Sequence, residues 1–581
     1  MILLAAVWIG LLGSMWAAGG AFYPLPATLA GGVAAVLSGM TQVGRRSSVQ
    51  FELTERLVLA WIILGVFQVT IGGGDPFEGF KRLGWWLVAL SAWVAARSLK
   101  RVPGETPLFL GLGVVLILGV LGEAWGLGLP RAGGLFENPN LAAMLMVPLV
   151  PLALSREWPR PLQWGIGLLL VMGVGATGSR AGLLALAGLG MLLLPRKLRI
   201  ALVVAVAALL MWRLLAVSDP LAWRRPAIWR ASLHVVAEHP LLGSTPGAYD
   251  EAVLRFRPPE PTLIARWTKY PGNAESTIIQ VLAETGVLGF SLLFVAVVAF
   301  WRSLKNVPSR RLLHATVVAM GIFATVHDLL GLPVVLWSWA WFLGRLASDG
   351  EPERSAGARS KNPMCLAGGL AAALLLIWSM VLPEIARYRF AAEDPSRGKI
   401  DPLWAVPWRV TAEQILHEDS WNRGRAIVAA DAAERAVALH PAAQREWLVL
   451  GQVLTQAYLQ VTPYPATARR AARAYKQACL IDPHAPVGWL LAGQLARSVG
   501  DLDRAIALVT RAVTEEPHYV KGWLALARLE LDAGRVDAAR RAFARARRSR
   551  ELSRGRILSA YERSLLDAPR WQFRQLEEQI P

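Results

Sequence analysis

Apolar residues over the first two thirds of the chain come in long uninterrupted runs, near 2–18, 20–40, 57–73, 82–98, 107–127, 139–155, 161–177, 181–195, 199–217, 276–301, 312–330, 332–348 and 363–383. A helix needs about 20 mostly apolar residues to cross a hydrocarbon core roughly 30 Å thick, and shorter runs are helped by flanking side chains that reach the interface. The pattern predicts an all-α membrane domain over 1–383, a polytopic bundle of about 12–13 helices. The opening run lacks the basic flank of a secretory signal and leads straight into a second run, so it reads as a membrane helix. Basic residues collect on alternate connections: Arg45-Arg46, Lys100-Arg101, Arg156 with Arg160, Arg196-Lys197 with Arg199, Arg302 through Arg310-Arg311, and Arg354 through Lys361. The positive-inside bias assigns these to the cytoplasm. Gly73–Lys81, the Phe136–Asn140 turn, Gly178–Arg180, a long polar loop at 218–275 and everything after Pro383 then fall on the outer face.

From about Glu384 the periodicity changes to that of paired soluble helices. Pro441, Pro483 and Pro517 each stand six residues before a tryptophan, Trp447, Trp489 and Trp523, and the last two units repeat at 34 residues. That is the tetratricopeptide period. Trp489, Gly493, Ala505, Ala512 and Pro517, then Trp523, Leu526, Ala527, Ala539, Phe543 and Ala546, supply its small and aromatic positions. The first gap is eight residues longer, and Val461–Pro465 is expected as the inserted loop. The segment 384–581 thus reads as an extracytoplasmic α-solenoid, either without a partner or with a peptide or protein subunit on its concave face.

Composition supports this division. In 581 residues, 54% are hydrophobic and 25 are tryptophan, as a membrane protein with a soluble appendage requires. The balance of 61 Lys and Arg against 42 Asp and Glu is met by the cytoplasmic connections and argues against a nucleic-acid partner. Cys365 and Cys479 offer no disulfide framework, and their expected role is packing. No metal-ligand spacing, phosphate-binding glycine loop or nucleophile elbow is present, which disfavours an ATP-driven pump. No interrupted helix pair or ionisable cluster at mid-membrane stands out, which disfavours a transporter.

Candidate chemistry sits on the outer face. Arg180 ends one apolar run, and Arg224-Arg225 open the polar loop with Trp229 four residues beyond Arg225, on one face if that segment is helical. Guanidinium groups make paired, charge-assisted bonds to a diphosphate, although interfacial anchoring is the simpler role for any single arginine. Glu275 stands at the start of the next apolar run, where it either caps the helix or acts as a general base. Glu284 lies deeper in that run and must face other helices or a wet cavity. His327-Asp328 holds helices together or touches substrate. His239-Pro240-Leu241-Leu242-Gly243 with Pro246-Gly247 reads as a helix stop and tight turns.

Four segments in order, Phe136-Glu137-Asn138-Pro139-Asn140-Leu141-Ala142, Thr177-Gly178-Ser179-Arg180-Ala181-Gly182, Arg225 through Gly247, and Gln280 to Gly289, resemble the O-antigen ligase and O-antigen polymerase superfamily over roughly 100–350. The resemblance implies a multi-pass enzyme of the bacterial inner membrane, with its repeats on the periplasmic side. Such an enzyme takes a glycan from an undecaprenyl-diphosphate carrier, among membrane lipid and with neither cofactor nor metal, and passes it to a glycan, lipid or protein acceptor. It implies Arg180 and Arg225 as ligands of the diphosphate and Glu275 as the catalytic residue, with Arg224, Trp229 and Gln280 as further substrate-binding positions. Many members carry a histidine where this chain has Glu275: either the carboxylate serves as the base, or the substitution marks a different acceptor or a loss of activity. The alternatives are a polymerase of the same superfamily, a protein O-oligosaccharyltransferase, or a non-catalytic anchor for the repeats.

Overall fold

In the computed structural model every regular element among the described residues is a helix. Those residues are 49–98, 105–128, 131–136, 138–154, 159–216, 225–260, 264–267, 272–307, 309–348, 401–418, 420–461, 463–553 and 556–580, with a few single positions besides. The expected runs at 2–18, 20–40 and 363–383 lie outside them, apart from Leu12, as do Glu137, Arg224 and Cys365. The first part comprises α1 (Val49–Ile71), α2 (Pro76–Ser98), α3 (Glu105–Leu121), α4 (Pro139–Met146), α5 (Leu149–Leu154), α6 (Arg160–Ala176), α7 (Arg180–Leu193) and α8 (Arg196–Ala216). After these come α9 (Arg225–Glu238), the single turn α10 (Tyr249–Ala252), α11 (Thr277–Ser303), α12 (Arg310–Val326) and α13 (Pro333–Ala347). Among the described residues, Leu53–Ile71, Glu105–Gly126 and Thr277–Ser303 are long and apolar enough to cross a membrane.

The apolar run expected as one helix over 139–155 is two, α4 and α5. Pro148 has no N–H for the carbonyl four residues back, and that carbonyl, on Met144, instead accepts the Trp339 indole N–H at 2.9 Å. α13 is buried along nearly its whole length. It lies against α2, where a Cβ on Gly344 would come within 2.8 Å of the Trp93 carbonyl. The Trp337 indole donates to the Trp85 carbonyl at 3.0 Å, and buried Arg345 pairs with Glu105 at 2.7 Å.

The soluble part stacks α14 (Val406–Leu416), α15 (Arg423–Leu439), α16 (Gln444–Gln460), α17 (Pro465–Ile481), α18 (Pro486–Ser498), α19 (Leu502–Glu515), α20 (Val520–Asp532) and α21 (Val536–Glu551), closed by α22 (Ala560–Leu566) and α23 (Arg570–Gln579). The six-residue Pro–Trp spacing has a direct cause. In each unit the indole N–H of Trp447, Trp489 or Trp523 donates, at 2.8 Å, to the carbonyl of Pro441, Pro483 or Pro517. The bond satisfies the indole and fixes where the next helix starts. The expected insertion at 461–465 is only partly a loop: α16 and α17 are each 17 residues long, against 13 and 14 for α18 and α19, so longer helices absorb most of the extra length.

The long loop does not hang free; the repeats hold it. Arg257 makes a two-pronged bond to Asp482 at 2.7 and 2.8 Å and also donates to the Trp267 carbonyl. The Glu516 carboxylate receives the backbone N–H groups of Arg266 and Trp267 at 2.9 and 3.0 Å, the Trp267 indole donates to the Glu515 carbonyl, and its ring stacks on His484 at 3.7 Å. Ala265 is fully buried in the apolar core of the last repeats. A second contact joins His440 of the repeats to Asp75, 3.7 Å away before α2, and to Glu251 in α10, 3.3 Å away.

Two expectations follow from this seam. Asp482→Ala leaves the Arg257 guanidinium buried without its carboxylate and should cost about 3–5 kcal/mol, seen as a lower thermal midpoint and new protease cuts within 254–267, while Arg257→Met with Asp482→Leu should recover most of the loss. The His440 contact should prefer acid. Burial opposes the imidazolium, but Glu251 and Asp75 outweigh it and hold His440 at about 9 against 6.5, so its stabilisation is complete below 6.5 and lost as pH rises through 9. Burial lifts Asp75 to about 6 from 3.8, which removes stability over that interval in the same direction. Glu251 is held down at about 2 because its contacts with His440 and Asp250 outweigh burial, so its contribution fades only as pH falls from 4.5 toward 2. Protease protection of 249–267 should therefore be greatest near pH 4–5 and decline toward 9, and His440→Gln should weaken the decline above 6.5, leaving the part due to Asp250, which burial and its neighbour Glu251 lift to about 8.

Candidate active site

α9 begins at Arg225, the residue after a stretch that includes Arg224 and lies outside the description. The Arg225 guanidinium stands 3.4 Å from the Glu275 carboxylate, with the two side chains 27% and 40% exposed. At that length and exposure the pair is weak and open, so either group can exchange its partner for a ligand. Glu275 sits at the left-handed φ of 52°, a conformation that costs a non-glycine residue about 1 kcal/mol or more. Local bonds hold it there. Its N–H donates to the Asn273 side chain at 2.9 Å, the preceding Ala274 N–H donates to Gln280 Oε1 at 2.7 Å, and Ser276 caps α11.

Behind this corner lies a buried polar relay. Gln280, 1% exposed, gives its amide N–H to Glu284, which also receives the Gly247 backbone N–H at 3.1 Å and the Arg82 guanidinium at 2.9 Å, while Asp328 lies 3.9 Å from Arg82. Both ends of the Gln280 side chain are engaged inside the protein, one of them on the backbone just before Glu275. The carboxylate that needed a partner inside an apolar run, Glu284, has one in Arg82.

α11 is broken rather than continuous. Gly286 takes φ 64° and ψ −172°, freeing ladder groups that the 240–245 turn then satisfies. Val287 N–H donates to the Pro240 carbonyl at 2.9 Å, and Ser244 and Thr245 N–H groups donate to the Ala283 and Glu284 carbonyls at 2.8 and 3.0 Å. A Cβ on Gly243 would come within 2.3 Å of Glu284 backbone, and one on Gly286 within 2.3 Å of the Leu241 carbonyl. Each glycine is needed for this backbone-to-backbone contact. The sequence showed the turn at 240–247 and the helix at 276–301 but not that each completes the other.

Arg180 is the first residue of α7, half-buried, next to Ser179, whose hydroxyl caps that helix and donates to Asn140 at 2.9 Å. The 136–142 and 177–182 segments are thereby joined, with Asn138 capping α4. Trp229 lies on α9, half-buried, and its indole N–H is buried without a hydrogen-bond partner among the described residues. Arg225 and Glu275 are the expected site residues whose side chains the structure brings into contact. The sequence missed Arg82, absorbed into the edge of an apolar run, and Arg131. His327 is buried with its Nε2 unsatisfied among the described residues, and Arg131 and Arg225 are its charged neighbours. Its carbonyl accepts the Thr277 N–H at 2.8 Å, two residues beyond Glu275. An unpaired acid inside an apolar run was the one signal that could have called for Arg82. Among the described residues no group of acids, histidines or cysteines is arranged to hold a metal ion.

Residues 165–294 match the family described as O-antigen ligase, a stretch that contains Arg180, Arg225 and Glu275, and 496–560 match a tetratricopeptide repeat. No curated protein matches the chain. Among solved structures, the chain is similar to MamA (14% identity, TM-score 0.25, covering 32% of this chain and 98% of that one), to TTC0263, a tetratricopeptide protein of Thermus thermophilus (23%, 0.23, 32% and 86%), and to yeast Tom70 (13%, 0.25, 90% and 96%).

Gln280→Leu removes the acceptor for the Ala274 N–H and one donor to Glu284. The substitution should destabilise the turn by about 1–3 kcal/mol, measurable as faster hydrogen exchange at 273–277 with the seam to the repeats unchanged.

Proposed function

With an O-antigen ligase segment and tetratricopeptide repeats joined in one chain, we propose that the protein transfers a glycan from an undecaprenyl-diphosphate carrier to an acceptor hydroxyl at the outer face of the bacterial inner membrane. The family matches support a membrane glycosyltransferase-like protein bearing repeats. The open Arg225–Glu275 pair, held in a strained turn inside the matched segment, supports the transfer from a diphosphate carrier. In the resting site each group neutralises the other. When the carrier arrives, Arg225 turns to its diphosphate, joined by Arg180 from the start of α7, and Glu275 is released to accept a proton. The acceptor oxygen then attacks the anomeric carbon as its bond to the diphosphate oxygen breaks. The acceptor proton passes to Glu275, and undecaprenyl diphosphate leaves with its charge held by the two guanidinium groups. Configuration inverts. Because the leaving group is already good, positioning and charge stabilisation suffice.

The test is complementation in a strain lacking the protein. Glu275→Gln should lower product by about 10²–10⁴-fold, and Arg225→Ala by about 10²–10³-fold, with lipid-linked glycan accumulating in both. Finished chains on the carrier mark a ligase, and single repeat units mark a polymerase. If both variants insert normally and product is unchanged, the transfer reading fails and the membrane part is an anchor for the repeats.

A further inference from the structure

The repeats present a basic groove that no other described residue of the chain fills. Residues 540–556 contain eight arginines and one glutamate. Elsewhere in the repeats several arginines face carboxylates: Arg409 meets Glu413 and Glu446, Arg497 meets Asp532, and Arg535 meets Glu530. On α21 the flank toward α23 is engaged too, since Arg547 lies 3.6 Å from Glu577 and Arg550 sits over the Phe573 ring at 4.6 Å. The opposite flank is not. Arg541, Arg545 and Arg548 are all exposed, and none has an ion pair or hydrogen bond among the described residues. Like charges three and four residues apart on a helix repel, so the row works against the helix that carries it. The three side chains border a cavity of about 460 Å³ whose apolar lining includes Trp523, Leu526 and Ala542, and the one carboxylate in that lining, Glu530, is paired with Arg535. The indole N–H of Trp523 is already bonded to Pro517, so its contribution to a ligand is an apolar ring.

We propose that this groove between α20 and α21 binds an acidic peptide segment of a protein partner. The surface of the repeats that holds Ala265 and Trp267 is filled by the chain's own loop, whereas among the described residues nothing occupies this groove. Arg541 and Arg545 are about 6 Å apart along the helix axis, close to the roughly 6.6 Å between alternate residues of an extended strand. An extended segment with acids at alternate positions sets its carboxylates against the arginine row, where the guanidinium fork takes them in paired bonds. Its intervening apolar side chains meet Trp523 and Leu526.

The experiment uses the full chain in detergent and a fluorescein-labelled peptide alternating glutamate with leucine and serine, followed by anisotropy. Binding is expected to weaken more than tenfold in an Arg541→Ala, Arg545→Ala, Arg548→Ala triple variant and to fall with salt, while the lysine counterpart of the peptide does not bind. The variant's thermal midpoint, equal to or above that of the parent, checks that the repeats remain folded. Single Arg545→Lys, which keeps charge but loses the fork, should weaken binding measurably and carries the test if the triple variant misfolds. Equal peptide binding by parent and variant overturns the proposal. So does failure of the peptide to bind, including the case in which polygalacturonate or phosphatidylglycerol vesicles bind through the same arginines. None of these outcomes depends on transferase activity.

Discussion

The buried Glu284 carboxylate is the constraint around which the membrane part is organised. A charge in that position is tolerable only when paired and hydrogen-bonded. Here Arg82 of α2, Gln280 one turn earlier in α11, and the Gly247 backbone converge on it. Each comes from a different part of the chain, so one carboxylate ties α2, the long loop and α11 to a common point. The Glu275 turn inherits its geometry from that point through Gln280. Disturbing the buried cluster therefore moves an exposed residue some distance away, whereas disturbing the exposed pair leaves the cluster intact.

Much of the fold was legible because its signals are local. Apolar runs marked α6, α7, α11 and α13 to within about two residues, whereas α1 begins well ahead of its run, and the Pro–Trp spacing marked the repeats because one indole-to-carbonyl bond recurs at a fixed distance along the chain. The break in α11 was not legible: Gly286 reads as an ordinary glycine in a helix until the 240–245 turn, some forty residues earlier, is seen to supply the missing partners. The division of α4 from α5 could be traced to Pro148, but not the Trp339 bond that makes it tolerable. The extra residues near 461 invited a loop because proline and tyrosine cluster there, whereas the helices simply lengthened around them.

At the candidate site the contrast is sharper. Arg225 and Glu275 were found by residue type and order, and they meet. Gln280 was grouped with substrate ligands because it lies in the same segment, and what could not be read was that it is buried with both ends of its amide bonded inside the protein. Arg82 and Arg131 could not be singled out, since one arginine beside an apolar run looks like any other anchoring residue. What distinguishes them is the acid or imidazole across the fold, and pairing between distant segments is what a single sequence conceals.

The seam at Arg257, Trp267 and Glu516 bears on how such proteins can be recombined. Because a specific peptide of the membrane part docks on its own repeats, the two halves are not interchangeable modules. A chimera that exchanges the solenoid while keeping the original loop would present Trp267 and the Arg257 fork to surfaces that lack their complements, so the workable unit of transplantation is the repeat array together with residues 254–267.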